Sequence, residues 1–369
     1  MLPYFIILVG LSGLAFLVQA QTNRAVQQAH RGRARGATFL TMPNIVWFVI
    51  IVVLVLFAGL RSPTVGTDTF GYVQRYVILD LQNLYWDYGG MELGSKVLYF
   101  VALLVSNSPA SILIIFAMMT VPTYIMVIRR ESINPAFSLF LFIALGYYLF
   151  VFNGARQAVA AAFYMLAISA MIHGKLRNYL LWTVFAALFH TSVIVALPLY
   201  FLFRQPFSLK ILASITAAAA FVVLFSSQAF SLFGEINQRY ATYLDREETG
   251  GLLLSAFYII TALVFIVLRP SVPADKRKRY DIYLNLSVLG TAVYIAVLIA
   301  GLYVELTRVA FYFQISTIFL WPMVIQTFSS RPMRLMVTLG IIVIHMGFYF
   351  MFLEQIGNLT PYSTEPYTY

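Results

Sequence analysis

Three arginines stand where a membrane-bound anion could be held. Arg61 closes the apolar run Phe57-Ala58-Gly59-Leu60, Arg156 lies in Phe152-Asn153-Gly154-Ala155-Arg156-Gln157, and Arg308 precedes Val309-Ala310-Phe311-Tyr312. A guanidinium keeps its charge and presents a planar fork of donors that matches phosphate oxygens. Several of them in one cavity would form a site for an anion carried by a lipid or a sugar. Two plainer fates are open to each: snorkelling to lipid headgroups, or pairing with a nearby acid. Asp68 is the acid nearest Arg61, and Glu305 lies three residues from Arg308, on one helical face.

Around these cations lie the other groups able to do chemistry. Asn153, Arg156 and Gln157 are spaced i, i+3 and i+4, so a helix would show an amide, a guanidinium and a second amide on one face. Lipid rejects such a face, which must therefore look into protein or water. His190 is the histidine set deep in an apolar stretch, Ala186-Ala187-Leu188-Phe189-His190-Thr191-Ser192. Such a residue is either a hydrogen-bonded structural element or a general base acting near neutral pH. In the loop Arg61–Tyr72, Thr67 or Asp68 can cap the helix that follows, with Tyr72 one turn on. Asp68 is either that cap or a catalytic acid or base facing substrate. In Ser227–Gly251, Glu235 and Arg239 suit an i, i+4 pair, and Tyr240 beside Arg239 suits stacking on a sugar ring or a place in the interfacial belt.

The elements that must position these groups are membrane helices. Of 369 residues 61% are hydrophobic and 10% charged, against roughly a quarter charged in soluble domains. The absence of cysteine removes disulfides, thiolate metal sites, iron–sulfur clusters and thiol nucleophiles. No pair of histidines has metal spacing, and there is neither a P-loop nor a Rossmann glycine run. The expectation is an enzyme without metal or cofactor, whose substrate arrives already activated.

Spanning segments are expected at Leu2–Ala20, Asn44–Leu60, Ala110–Ile128, Ala136–Phe152, Leu252–Leu268, Ile282–Leu302, Val309–Phe328 and Leu335–Leu353, with shorter ones at Gln157–Ile172 and Ile211–Ser226. Glu92–Val105 is short and carries Lys96, while Asn178–Phe203 is long, with His190 near its middle. Lys and Arg set the orientation. Placing Arg24 to Arg35, Arg129, Arg130, Lys175, Arg177, Arg204, Lys210, Arg269, Lys276 to Arg279, Arg331 and Arg334 in the cytoplasm leaves Arg61, Arg75, Lys96, Arg156, Arg239, Arg246 and Arg308 outside. The net charge of +10 is then a topology signal and not a nucleic-acid one.

On this placement Glu92–Val105 does not cross fully, and Asn178–Phe203 turns back as two half-helices near His190. The rival topology lets both cross but strands Arg129, Arg130, Lys175 and Arg177 outside. Val18-Gln19-Ala20 resembles a cleavage site, yet four arginines follow it and no basic leader precedes it, so the first segment reads as an uncleaved helix. The expected fold is one all-α polytopic membrane domain over residues 1–369, of about 10–12 transmembrane helices with one or two re-entrant segments. Both termini lie outside, with an outer loop bearing an interfacial helix at 61–91 and another outer loop at 227–251.

Four short strings resemble one family. Gly59-Leu60-Arg61-Ser62 with Gly66-Thr67-Asp68 and Tyr72, then Phe152–Gln157, then Phe189-His190-Thr191-Ser192 with Pro198, and finally Thr360-Pro361-Tyr362 are similar, in order, to signatures of the EpsG/Wzy-type polysaccharide polymerases. The resemblance implies a GT-C-like helical bundle in the bacterial inner membrane that needs no nucleotide sugar. Its substrate would be an oligosaccharide repeat unit on undecaprenyl diphosphate, and its partners membrane lipids, a flippase and a chain-length co-polymerase. By the same analogy Arg61, Arg156 and Arg308 would hold the diphosphate, and His190 or Asp68 would deprotonate the acceptor. A flippase for lipid-linked oligosaccharide and a membrane acyltransferase are the competing readings.

Overall fold

A computed structural model describes residues 1–30, 41–79, 91–224, 251–300, 307–355 and 358–364. Among them every regular element is helical. In lipid, backbone polar groups must be satisfied within the segment, and the helix achieves this without a partner. Seven helices are long and apolar enough to cross a membrane: Leu2–Arg24, Ala110–Glu131, Ala155–Ile172, Leu252–Ser271, Ala274–Ile299, Arg308–Ile325 and Arg331–Glu354. Shorter apolar helices are Pro43–Gly59, Leu93–Val105, Pro135–Ala144 and Leu209–Ala220. The protein is a polytopic all-α membrane protein.

Its described residues form two compact units. The first comprises Met1–Ala170, Arg177–Ile194 and Leu335–Tyr369. In it Thr41–Gly59, Thr69–Ile78 and Leu93–Val105 all pack on Ala110–Glu131, and Ser12–His30 packs on Pro135–Ala144. The Arg331–Gln355 helix shows Leu335, Met336, Leu339, Val343 and Ile344 on its exposed side. That apolar stripe is stable against acyl chains and not against water.

The second unit comprises Met171–Leu176 and Val195–Arg334. Its centre is Ala274–Ala300, against which Leu209–Leu224, Leu252–Leu268 and Arg308–Gln314 pack. Buried polar groups fasten it. Gln314 Nε2 donates to Thr291 Oγ1 at 2.9 Å and to the Ser287 carbonyl at 3.2 Å. Asn285 Nδ2 donates to the Phe203 and Gln205 carbonyls at 3.0 and 2.9 Å. Arg269 grips Asp281 through Nε and Nη2 at 2.6 and 2.8 Å, the side-on geometry that a planar fork favours.

Two expectations about elements change, and a third gains a turn. Ala136–Phe152 is not one helix: it runs Pro135–Ala144, turns through Leu145–Leu149, and resumes for the single turn Phe150–Asn153. The turn needs Gly146 at φ +77, and a Cβ there would meet the Phe352 ring at 2.8 Å. Val309–Phe328 stands as the span Arg308–Ile325 but carries the turn Ile315-Ser316 between Arg308–Gln314 and Thr317–Ile325. Asn153 also does not share a helix with Arg156 and Gln157. Gly154 leaves helical geometry at φ −167, ψ 50, and a new helix starts at Ala155.

Leu93–Val105 is 13 residues, about 20 Å long at 1.5 Å per residue against a hydrocarbon core of about 30 Å. The Asn178–Phe203 segment breaks at the histidine. Leu176–Ala187 ends, Leu188 and Phe189 turn, His190 is non-helical, and a 3-10 turn runs Thr191–Ala196 before Leu199–Phe203. Thr69–Ile78 is a helix within the stretch 61–91 expected as an outer loop, of which residues 80–90 lie outside the described residues. The expected loop at 227–251, with Glu235, Arg239 and Tyr240, lies outside the described residues, apart from Gly251, and Glu305 lies outside them too.

Candidate functional site

The site lies wholly within the first unit and starts from the end of Thr41–Gly59. The last carbonyls of a helix lack intrahelical donors and carry partial negative charge. Arg61 answers two such ends at once. Nη1 donates to the Ala58 carbonyl, in the last turn of Thr41–Gly59, and Nη2 donates to the Val151 carbonyl of the single turn Phe150–Asn153 at 3.3 Å. Nε donates to Thr69 Oγ1 at 3.0 Å, and the guanidinium carbon sits 4.5 Å from the Phe152 ring centroid. The residue is 1% exposed. Snorkelling is therefore excluded: Arg61 faces inward and fastens the loop that follows it.

The loop is braced on two further sides. Thr69 Oγ1 donates to the Val65 carbonyl at 2.7 Å and lies 3.2 Å from that of Phe152. The Thr67 N–H donates to Asn153 Oδ1 at 2.9 Å. Ser62 and Gly66 N–H donate to the carbonyls of Ser363 and Asn358 at 2.8 and 2.9 Å. Gly66 has φ +95, and a Cβ on it would lie 2.6 Å from the Phe152 oxygen and 2.9 Å from Asn153 Oδ1. Tyr362 donates from its hydroxyl to the Phe57 carbonyl at 2.8 Å and stacks on Phe57 with centroids 4.2 Å apart. Burial pushes the Tyr362 phenol pKa up, and the Arg61 charge opposes that shift.

Arg156 opens the Ala155–Ile172 helix, where the helix dipole is positive and disfavours a cation. A partner compensates. Arg156 Nη1 donates to Glu92 Oε2 at 2.7 Å, with side chains 16% and 13% exposed. Arg156 Nε is buried without a hydrogen-bond partner. The Tyr72 side chain also hydrogen-bonds this guanidinium, Tyr99 lies within its electrostatic reach, and Tyr99 donates to the Tyr72 carbonyl at 3.2 Å. Tyr72 is buried on Thr69–Ile78, the helix whose first turn carries Thr69. Gln157 is buried next to Arg156 in sequence.

Glu92 links this group to the histidine. It stands at the N-cap of Leu93–Val105 but makes no side-chain cap bond, its carboxylate being turned to Arg156. Two residues on, the Gly94 N–H donates to the Leu188 carbonyl at 2.7 Å, and Ser95 Oγ donates to that of Phe189 at 3.3 Å. A Cβ on Gly94 would stand 2.7 Å from that Leu188 oxygen. The turn 188–190 is thus docked on the helix start that holds Arg156, and His190 follows it. His190 Nδ1 and Ser192 Oγ share a 2.7 Å hydrogen bond.

Of the residues singled out in the sequence, Arg61, Asp68, Tyr72, Asn153, Arg156, Gln157 and His190 belong to this first unit. Asp68 stands at the N-cap position of Thr69–Ile78, as expected, but makes no capping bond. Its Oδ1 accepts from Thr67 Oγ1 at 3.3 Å. Arg308 heads Arg308–Gln314 in the second unit, so the site described here contains two of the three arginines. Arg239 and Tyr240 lie outside the described residues. Sequence reasoning missed Glu92, Thr69 and Tyr99. Glu92 had a signal, a carboxylate at the foot of a short apolar helix, yet its pairing with Arg156 spans 64 residues.

A helical membrane bundle with arginines, a carboxylate and a histidine gathered at interrupted helices defines a polytopic membrane protein with a polar site built from helix breaks. The residue pattern of the EpsG family matches residues 44–364. The chain belongs to the EpsG family, with the polysaccharide-polymerase type of role that membership carries. No curated protein and no solved structure matches it.

Proposed function

We propose that the protein polymerises a bacterial surface polysaccharide. It would transfer a growing glycan from undecaprenyl diphosphate to the next lipid-linked repeat unit at the outer face of the inner membrane. The observation that carries this reading is the convergence of segments 59–72, 152–157 and 188–192 through direct bonds, by way of Glu92 and Gly94.

In the proposed step an acceptor sugar hydroxyl attacks C1 of the donor's lipid-linked sugar. The C1–O bond to phosphate breaks, and the diphosphate leaves with the electron pair. Arg156 grips the departing diphosphate. A fixed cation at a site of developing negative charge is electrostatic catalysis. Arg61, already bound to two helix-end carbonyls, holds the backbone of the site and adds to its positive field. With Nδ1–H donating to Ser192 Oγ, His190 Nε2 carries the lone pair and takes the hydroxyl proton. Asp68 is the other candidate base.

Purified protein given synthetic diphospholipid-linked repeat units, with no other enzyme, should make polymer. Arg156→Gln and His190→Gln, with expression checked, should abolish long chains there and in a complementation assay. Wild-type chain lengths in both variants would remove the site. Translocation of the lipid-linked unit without transfer would make the protein a flippase instead.

A further inference from the structure

We infer that Glu92 is the exchangeable counter-ion of Arg156. It holds the guanidinium in the empty site, yields it to the substrate diphosphate, and afterwards competes the spent diphosphate off. This rests on the assignment of Arg156 to diphosphate binding.

Four observations support it. The pair is joined through one nitrogen and one oxygen, Nη1 and Oε2, at 2.7 Å. The buried Nε has no partner, so the fork is not saturated by the carboxylate. A phosphate can take two parallel N–H donors from one guanidinium, and so has more to offer this arginine than the single-point contact of Glu92 beside its bond to Tyr72. Glu92 also forgoes capping its own helix while pointing at Arg156, and both side chains keep some exposure. A carboxylate there cancels the charge of a half-buried cation at a helix start when no substrate is present.

The chemistry of the reaction gives the exchange a purpose. The donor is a diphosphate diester with two negative charges. When the sugar leaves, the terminal phosphate becomes a monoester whose further acid group ionises with a pKa of about 6. The product is therefore more anionic than the substrate and would hold Arg156 more tightly. A neighbouring carboxylate that recaptures the guanidinium favours release.

The test uses the purified full-length protein and farnesyl diphosphate as a probe for the spent carrier. Glu92→Gln should bind the probe about ten-fold more tightly than wild type, which corresponds to about 1.4 kcal/mol. In turnover it should show a lower KM, a lower kcat and stronger inhibition by the probe. Glu92→Asp keeps the charge but draws it back, and should bind about three-fold more tightly, so it carries the test if Glu92→Gln does not purify as a folded protein. Unchanged or weaker probe binding in the folded variants would reduce Glu92 to a structural brace and overturn the inference. Arg156→Gln separates the two levels. If it binds the probe like wild type, the diphosphate assignment itself fails. If it loses binding while the Glu92 variants gain nothing, only the exchange fails.

Discussion

Arg61 donates a hydrogen bond to the carbonyl of Val151 and closes the C-terminal ends of two helices with one side chain. The relationship ties the loop carrying Asp68 and Tyr72 to the break that sets the start of the Arg156 helix. It makes Arg61 a fastening of the site rather than a surface cation.

That role can be separated from ligand binding by Arg61→Lys. Lysine keeps the charge but lacks the planar fork, so it cannot reach Ala58, Val151 and Thr69 together. Each lost bond to a charged group costs about 1.5–3 kcal/mol. The melting temperature in detergent should fall along with polymer formation. A variant that melts like wild type but is inactive would show that Arg61 acts on substrate directly.

Gly94→Ala should disconnect the histidine turn from the Glu92 helix start. Its Cβ would meet a backbone oxygen, which cannot rotate away. Polymer yield should drop at least as far as in a His190 variant, where loss of a general base costs about 10²–10⁴ in rate. Gly66→Ala adds a backbone penalty of about 1–3 kcal/mol for a non-glycine residue at positive φ, and should fail on stability as well. Chain-length analysis beside thermal melts distinguishes the two cases; full activity in Gly94→Ala would dissolve the proposed link.

Tyr362→Phe removes one hydrogen bond to the Phe57 carbonyl but keeps the stacked ring. Its cost should be about 0.5–1.5 kcal/mol, with activity largely kept. Tyr362→Ala loses the ring as well, and because the ring is only half-buried its cost should fall below the roughly 3–5 kcal/mol of a core aromatic truncation. The loop at 61–69 should then loosen, to be read as faster proteolysis near Thr64. Equal behaviour of the two variants would show that the ring does not brace the loop.

The absence of cysteine makes sidedness directly measurable. Thr67→Cys and Arg130→Cys, each the lone thiol in its variant, should react from opposite faces of the membrane with an impermeant maleimide. Thr67 is exposed, and the Arg130 side chain is 57% exposed, so both should label. Labelling from the same face would overturn the assignment of the Arg61 loop to the outside.

Much of the architecture was legible because bilayer chemistry is severe. Long apolar runs such as Ala110–Glu131 leave the backbone one economical option, and a polar group such as His190 set within the apolar stretch Ala186–Ser192 marks a break. The failures were local. Apolar composition does not register that Gly146 turns the chain at positive φ, and i, i+3 spacing assumes a helix that Gly154 ends. The site's decisive contacts were hidden for a different reason. Arg61 with Val151 and Arg156 with Glu92 join residues that hydropathy treats separately. By itself the sequence determined which segments must be helical and which charges had to find company away from lipid, because transfer energies depend on residue type alone. Only the tertiary structure decided which company each charge keeps, because the Arg61 guanidinium on helix-end carbonyls and the Arg156 guanidinium on a carboxylate are placed by packing across distant segments.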